Sequence, residues 1–187
     1  MKYEVTTAVA SEVLSLATAK AHLRVETAFT DDDTLITALI SVARDEAELI
    51  TQRAIGAQTI TLRASSFAGL ELRHPPITAV SAITYSDENG DSQTLSTSVY
   101  YVDYASEVAR VRLKDGQVWP QLHAQGDTVQ VVYTAGYTAG NVPPLIKQWM
   151  LLRIGSLYET READSDRPPV PTEFVVRLLD RYRVLAP

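Results

Sequence analysis

The chain has 187 residues, of which 17 are Lys or Arg and 23 are Asp or Glu, giving a net charge of −6. The absence of cysteine excludes disulfides, thiolate metal sites, iron–sulfur clusters and a cysteine nucleophile. The acidic balance disfavours direct nucleic-acid binding, which needs clustered Lys and Arg. No apolar stretch approaches the roughly 20 residues that cross a bilayer, and no signal-peptide pattern opens the chain. We therefore expect a protein made in the cytoplasm, with no membrane partner.

Two helices are predicted near the amino terminus. Ser15 precedes a run of helical periodicity over 16–23 and can cap its free amides. A longer helix begins at Asp31–Asp33, because the helix dipole favours carboxylates at an N-terminus, and it ends at about Ala54, before Gly56. Its apolar positions repeat at three- and four-residue spacing: Leu35, Ile36, Leu39, Ile40, Val42, Ala43, Ala47, Leu49 and Ile50.

The middle of the chain, from Gln58 to Tyr133, is predicted to be rich in β-strands because its apolar residues alternate with a period of two. Strands are predicted over 59–63, 77–85 and 130–133, with turn residues between them. We also expect a hairpin in which 108–113 pairs with 117–119.

Helical periodicity returns after Asn141, where Pro143 and Pro144 suit a first helical turn. This second long helix is predicted to run to about Glu162. Residues 163–171 are polar and proline-rich, which favours an extended strap. A last short helix is predicted over 172–182.

These elements predict an α+β fold: a small helical bundle of about four helices with a β-rich insertion between the two long helices. The long helices, separated in sequence, are expected to pack antiparallel through their apolar stripes. The predicted boundaries are 1–56 for the N-terminal helices, 57–140 for the β-rich insertion, 141–162 for the second long helix, and 163–187 for the strap and C-terminal helix.

Nothing in the sequence predicts an enzyme. His22, His74 and His123 have no second His or carboxylate at ligand spacing. The cluster Asp31–Asp33 lacks the Gly and terminal Glu of an EF-hand, so helix capping is the better interpretation. No nucleophile elbow, phosphate-binding loop or dinucleotide fingerprint occurs. We therefore expect no catalytic residues, metal or cofactor.

Several tyrosines lie in the predicted insertion: Tyr85, Tyr100, Tyr101, Tyr104 and Tyr133. Tyrosine supplies a large contact area at low entropic cost, so these residues can form a binding surface. They also suit the core and cross-strand positions of a sheet. One hypothesis is therefore a non-enzymatic binding module that holds a carbohydrate or protein ligand on this insertion.

An ordered series of short motifs points to a second hypothesis. The motifs are Ser15–Ala17, Lys20–Val25, Asp31–Ile36, Arg73–Ile77, Val80–Tyr85, Asn89-Gly90, Tyr100–Asp103, Trp119-Pro120, Val131–Tyr137, Val142–Gln148 and Tyr158–Glu162. In this order the chain resembles the head–tail connector proteins, also called adaptor or head-completion proteins, of long-tailed phages and gene transfer agents. The resemblance extends over nearly the whole length.

The resemblance implies a structural subunit in the virion neck, made in the host cytoplasm. It implies a ring of about twelve copies that binds below the portal protein and joins the capsid to a stopper or tail-terminator protein. DNA would pass through the lumen without specific binding, and the acidic stretches 25–54 and 84–107 are compatible with a surface along which DNA slides.

The C-terminal segment 163–187 is the candidate attachment site to the portal or a neighbouring subunit. Its prolines stiffen the connection and lower the entropy lost on docking, and guanidinium groups bind carboxylates bidentately. The candidate partner-binding residues are Phe174, Leu178 and Leu179 as apolar anchors and Arg177, Arg181 and Arg183 as donors. The other interpretation of this helix is that it covers the protein's own bundle.

Overall fold

A computed structural model describes residues 1–124, 126–160, 175 and 177–185. The chain forms two compact units. One, the β unit, combines residues 1–10 with 57–136, and the other, the helical unit, combines 11–56 with 137–187. The α+β class is confirmed. The predicted count of four helices is not, because three α-helices are described. Of the helix expected over 172–182, residues 172–174 and 176 lie outside the described residues, and Asp180–Tyr182 form a 3₁₀ turn. The predicted strap over 163–171 lies outside the described residues.

The helical unit contains helices α1 (Leu16–Leu23), α2 (Asp33–Thr51) and α3 (Pro144–Glu159). Ser15 caps α1 as predicted, its hydroxyl accepting the N–H of Thr18 at 3.2 Å. Helix α2 ends three residues earlier than predicted, because Gln52 takes the left-handed conformation with φ 57°. Helix α3 likewise ends at Glu159 rather than Glu162.

The core of the helical unit forms where α2 and α3 pack together. Buried residues at three- and four-residue spacing on each helix meet in one apolar cluster: Ile36, Ile40, Ala43 and Ala47 of α2, and Ile146, Trp149, Met150 and Ile154 of α3. The helices run antiparallel, since Tyr158 near the end of α3 donates a hydrogen bond to Asp32 at the start of α2. The predicted packing of the two long helices is therefore confirmed.

The chain leaves the helical unit after Gly56 and returns to it at Tyr137. Hydrogen bonds hold these two positions together. The Tyr137 N–H donates to the Ile55 carbonyl at 3.3 Å. One oxygen of Glu48 accepts the N–H groups of Ile55, at 2.7 Å, and Gly56, at 3.3 Å. The guanidinium of Arg44 lies 3.4 Å from the other Glu48 oxygen.

The β unit contains two antiparallel sheets. The larger has the order β1 (Lys2–Thr7), β2 (Gln58–Ala64), β8 (Val129–Ala135), β4 (Ile77–Ser86) and β5 (Ser92–Thr94). The smaller has the order β3 (Glu71–Leu72), β7 (Ala109–Leu113) and β6 (Tyr100–Asp103). Alternate residues of β8 are buried, which is the period-two pattern that predicted this strand.

Two features of the β unit differ from the sequence predictions. Strand β1 pairs with β2, so residues 1–10 belong to the β unit and not to the helices of the predicted 1–56 segment. This strand was missed because its side chains are almost all exposed and leave no alternating apolar pattern. The predicted hairpin of 108–113 with 117–119 is wrong, since β7 pairs with β3 and β6 and residues 117–119 form no strand.

The C-terminal residues of the described chain pack on the helical unit. Leu179 is 0% exposed in its core, and Val175, Leu178 and Tyr182 pack against the same cluster. The Val184 N–H donates to the Thr51 carbonyl at 2.9 Å. These contacts show that the apolar side chains of this segment contribute to the protein's own fold.

Leu179→Ala tests that contribution. We expect the variant to lose about 2–5 kcal/mol of unfolding free energy, because the change leaves a cavity in a closed core. The matched control is Leu49→Ala, since Leu49 is 72% exposed and its truncation is expected to stay within about 0.5 kcal/mol. Urea denaturation followed by circular dichroism measures both. Equal effects would contradict the burial of Leu179.

Glu48→Gln tests the buried carboxylate. Burial raises the pKa of Glu48, and the N–H of Ile55 opposes this rise. Between the ordinary glutamate value of about 4.3 and the raised pKa, the folded protein binds more protons than the unfolded chain. The free energy of unfolding contributed by Glu48 therefore falls as pH rises through this window. Glutamine removes the titration and keeps an acceptor oxygen.

Urea denaturation at several pH values in this range measures the free energy of unfolding of both proteins. We expect this free energy to fall for the wild type, relative to the Gln variant, as pH rises. A difference that does not change with pH would show that the pKa of Glu48 is not raised.

Candidate functional site

The predicted partner-binding residues fall into three groups in the structure. Phe174 lies outside the described residues. Leu178 is half-buried and Leu179 is buried in the helical unit, so both are turned toward the protein's own core. Arg177, Arg181 and Arg183 are exposed.

A short turn of 3₁₀ helix at Asp180–Tyr182 contains Arg181 and is followed directly by Arg183, whereas Arg177 precedes the turn. Arg53 donates to the Tyr182 carbonyl at 2.5 Å, which ties this turn to the residues after α2. The Arg181 guanidinium lies 5.6 Å from the centre of the Tyr182 ring, and Arg183 lies 3.2 Å from Asp180. We call Arg177, Arg181, Arg183 and the exposed Leu185 the basic tail surface.

A second surface, which the sequence predictions missed, lies on the outward side of α2. Leu35, Val42 and Leu49 are 37%, 42% and 72% exposed, although the sequence pattern placed them on the buried stripe. At about 100° per residue, they lie roughly opposite the buried Ile36, Ala43 and Ala47. Spacing alone could not separate them from the core residues, because the buried pairs Ile36 and Ala43, and Ile40 and Ala47, also lie seven residues apart.

Ala38 and Asp45, both exposed, continue the same line along the helix. We call Leu35, Ala38, Val42, Asp45 and Leu49 the outer α2 stripe. Within α2, which the structure describes completely, no exposed residue is basic.

The tyrosines of the β unit do not form one surface. Tyr133 is completely buried, with its hydroxyl donating to the Arg73 carbonyl at 3.0 Å, and burial raises its pKa. Tyr100 is also buried, and Tyr85 packs edge-on against Phe67. Only Tyr101 and Tyr104 among the five are exposed. Most of the predicted tyrosine surface is therefore core or cross-strand packing.

A groove of about 350 Å³ lies on the β unit, beside the exposed Tyr101. Phe67 and Trp119, stacked with their ring centres 4.7 Å apart, form part of its lining. Arg110 and Arg112 also line it, but Arg110 binds Glu71 at 3.0 Å and Arg112 binds Asp103 at 2.7 Å. Because carboxylates of the same sheet already engage both arginines, the groove does not favour an anionic ligand.

The three histidines have different local surroundings. His22 faces Gly155 in the helical unit, whereas His123 lies near the Glu88 carbonyl in the β unit. Burial, together with the charge of Arg73, lowers the pKa of His74. Among the described residues, no group of three His, Asp or Glu is placed to hold a metal ion.

The predicted helix-capping cluster makes contacts within the helical unit. Asp33 pairs at 2.7 Å with Lys20, a buried lysine that also donates to the carbonyl oxygens of Thr27 and Phe29. Asp32 accepts from Tyr158. These contacts join α1, the loop after it, and the two long helices.

Comparison with known families decides between the two hypotheses. A family model described as phage gp6-like head-tail connector protein matches residues 13–107, just over half of the chain. The chain belongs to this head-tail connector family. The matched region extends from the start of the helical unit through β6. A search of curated protein sequences finds no match.

Solved structures share the fold of this connector over its whole length. A chain from the neck of an empty gene transfer agent (GTA) particle, computed with C6 symmetry, has a TM-score of 0.82. Chains from a native GTA virion and from a native GTA neck computed with C12 symmetry have TM-scores of 0.79 and 0.76. Each is 22% identical, and each match covers 100% of this chain and 97% of the other.

No helix within the described ranges has the length and apolar character needed to span a membrane.

Treatment with a chelator tests the metal prediction. Because Asp32 and Asp33 already have protein partners, we expect thermal melting curves with and without EDTA to coincide. A drop of several degrees in the chelator would show that the protein holds a stabilising ion. Adding Mg²⁺ or Ca²⁺ back separately would then identify it.

Proposed function

We propose that this connector-family protein is a non-catalytic structural subunit of a ring in the neck of a phage or gene transfer agent particle. The ring contains about twelve copies, as the C12 symmetry of one similar neck suggests. It binds below the portal protein and joins the capsid to a stopper or tail-terminator protein. DNA passes through its lumen without specific binding.

The observation that carries this proposal is the family match together with a shared fold over the complete chain. The family model covers helices α1 and α2 and strands β2 to β6, whereas the fold comparison also includes β7, β8 and α3. The proposal therefore applies to both units of the chain.

The net negative charge of the protein favours a ring lumen that does not bind DNA. Acidic residues outnumber basic ones by six, and Asp31, Glu88 and Asp91 are exposed. A surface that repels phosphate lets DNA slide, whereas a basic surface would bind it and release counterions.

The basic tail surface is proposed to contact a protein partner. Arg177, Arg181 and Arg183 are exposed, and Arg183 also pairs with Asp180 of the same chain. Guanidinium groups bind carboxylates of a partner in a fixed planar geometry. Leu178 and Leu179 do not face the partner in this proposal. They pack on the core of the helical unit and so position the neighbouring arginines.

Deletion of the gene tests the proposed function. Particles produced without this protein are expected to be heads that lack tails, and the wild-type gene supplied in trans is expected to restore complete particles. Electron microscopy of purified particles measures both results. The restored particles should contain the protein in the neck, which an antibody to a small tag can locate. Normal tailed particles from the deletion strain would contradict the proposal.

A further inference from the structure

The groove of the β unit has an aromatic lining held in place by the surrounding fold. The Phe67 and Trp119 rings are stacked with an angle of 8° between their planes, and Tyr85 packs edge-on against Phe67 at 5.6 Å. Tyr101, which is 45% exposed, also lines the groove. Rings that are already held in position give a ligand a large contact area at a low entropic cost.

The polar groups of the groove indicate the character of its ligand. The two arginines of the lining are paired with carboxylates of the same sheet, so their charges are balanced. Within the described part of the chain, neither the Trp119 indole N–H nor the Tyr101 hydroxyl has a hydrogen-bond partner. Both groups can donate to a carbonyl oxygen. The groove therefore suits an uncharged, apolar segment whose backbone carbonyls are free to accept.

The chain itself contains a segment of this character. Residues 168–171 read Pro-Pro-Val-Pro, an uncharged P-x-x-P sequence. This sequence favours the polyproline II conformation, whose three-residue turn places Pro168 and Pro171 on the same side and whose backbone makes no internal hydrogen bonds. P-x-x-P segments dock in aromatic-lined grooves because they lose little conformational entropy on binding. We call residues 168–171 the P-x-x-P motif.

The P-x-x-P motif and the groove belong to different parts of the subunit. The motif lies within residues 161–174, which are outside the described residues. These follow Thr160 at the end of α3 and precede Val175, which packs against the core of the helical unit. The groove belongs to the β unit. A closed ring is built from contacts between two different parts of neighbouring subunits, and a motif and a groove of matching chemistry provide such a contact.

We propose that the P-x-x-P motif of one copy binds the aromatic groove of the next copy around the ring. This inference rests on the proposed connector ring and identifies one contact between its subunits. Pro168 and Pro171 pack on the rings of Tyr101 and Trp119, and the Trp119 N–H donates to a carbonyl oxygen of the motif.

Peptide binding tests the recognition. The probe is a fluorescein-labelled peptide of residues 163–173. The receptor is the full chain carrying Pro168→Ala and Pro171→Ala, so that its own motif does not compete. We expect saturable binding by fluorescence anisotropy, and a peptide with both of these prolines replaced by alanine is expected to bind about tenfold more weakly. Equal affinity for the two peptides, or no saturable binding, would overturn the proposal.

A matched pair of tyrosine variants locates the peptide site. Tyr101→Ala removes an exposed ring that lines the groove, whereas Tyr104→Ala removes a ring that is 54% exposed and does not line it. In the same receptor we expect the first change to weaken binding about tenfold and the second to leave it within about twofold. Thermal melting checks that both variants are folded, as expected for surface substitutions. Equal affinities of the two variants would show that the peptide does not bind in the groove.

Cysteine crosslinking in assembled particles tests whether the contact joins two copies, because the natural chain has no cysteine. Val118→Cys lies beside Trp119 at a position that is 82% exposed, and Thr172→Cys directly follows the motif. The two variants are made as separate genes, one carrying a small tag, and are expressed together in the deletion strain. A short bis-maleimide is then added to purified particles.

The expected product is a covalent dimer that contains one chain of each variant, resolved by the tag on a denaturing gel. Normal tailed particles without this dimer would overturn the proposal while leaving the connector function intact. An internal crosslink without dimers, in a chain that carries both cysteines, would also overturn it, because the motif would then bind its own subunit. Absence of the protein from the neck of wild-type particles would instead refute the proposed function, and this contact with it.

Discussion

The carboxylate of Glu48 stabilises the junction at which the chain leaves the helical unit and later returns to it. The division of the chain into two units depends on this junction. The chain leaves the helical unit at Gly56 and returns at Tyr137, so these positions must lie side by side for α2 and α3 to share a core. Glu48 accepts both N–H groups that follow α2, which would otherwise lack helical partners. A buried acceptor that satisfies two donors stabilises the junction, although its burial raises its own pKa.

Because this junction is closed, the 80 residues from 57 to 136 fold as part of a separate unit without interrupting the helical core. The β unit takes its first strand from residues 2–7 and the rest from the insertion. The helical unit is assembled from two distant parts of the sequence, so its stability depends on long-range packing more than on any one helix.

Helix α2 carries apolar residues both in the core and at the surface. Its buried side, at Ile36, Ala43 and Ala47, packs in the core of the helical unit, and its outward side, at Leu35, Val42 and Leu49, is exposed. The C-terminal residues show the same division, since Leu179 enters the core and Arg181 faces solvent. Residues close to one another in sequence are thus divided between the core and the surface.

The sequence by itself determined the α+β class, the packing of the two long helices, the cap at Ser15 and the resemblance to head-tail connectors. These follow from local periodicity, capping chemistry and the order of motifs along the chain. Only the tertiary structure showed that β1 joins β2, that β7 pairs with β6 and β3, and that Leu179 is buried while Leu49 is exposed. The sequence alone does not show whether a leucine at helical spacing is buried or exposed. It shows that the side chain is apolar, but burial depends on which other elements pack against that side of the helix.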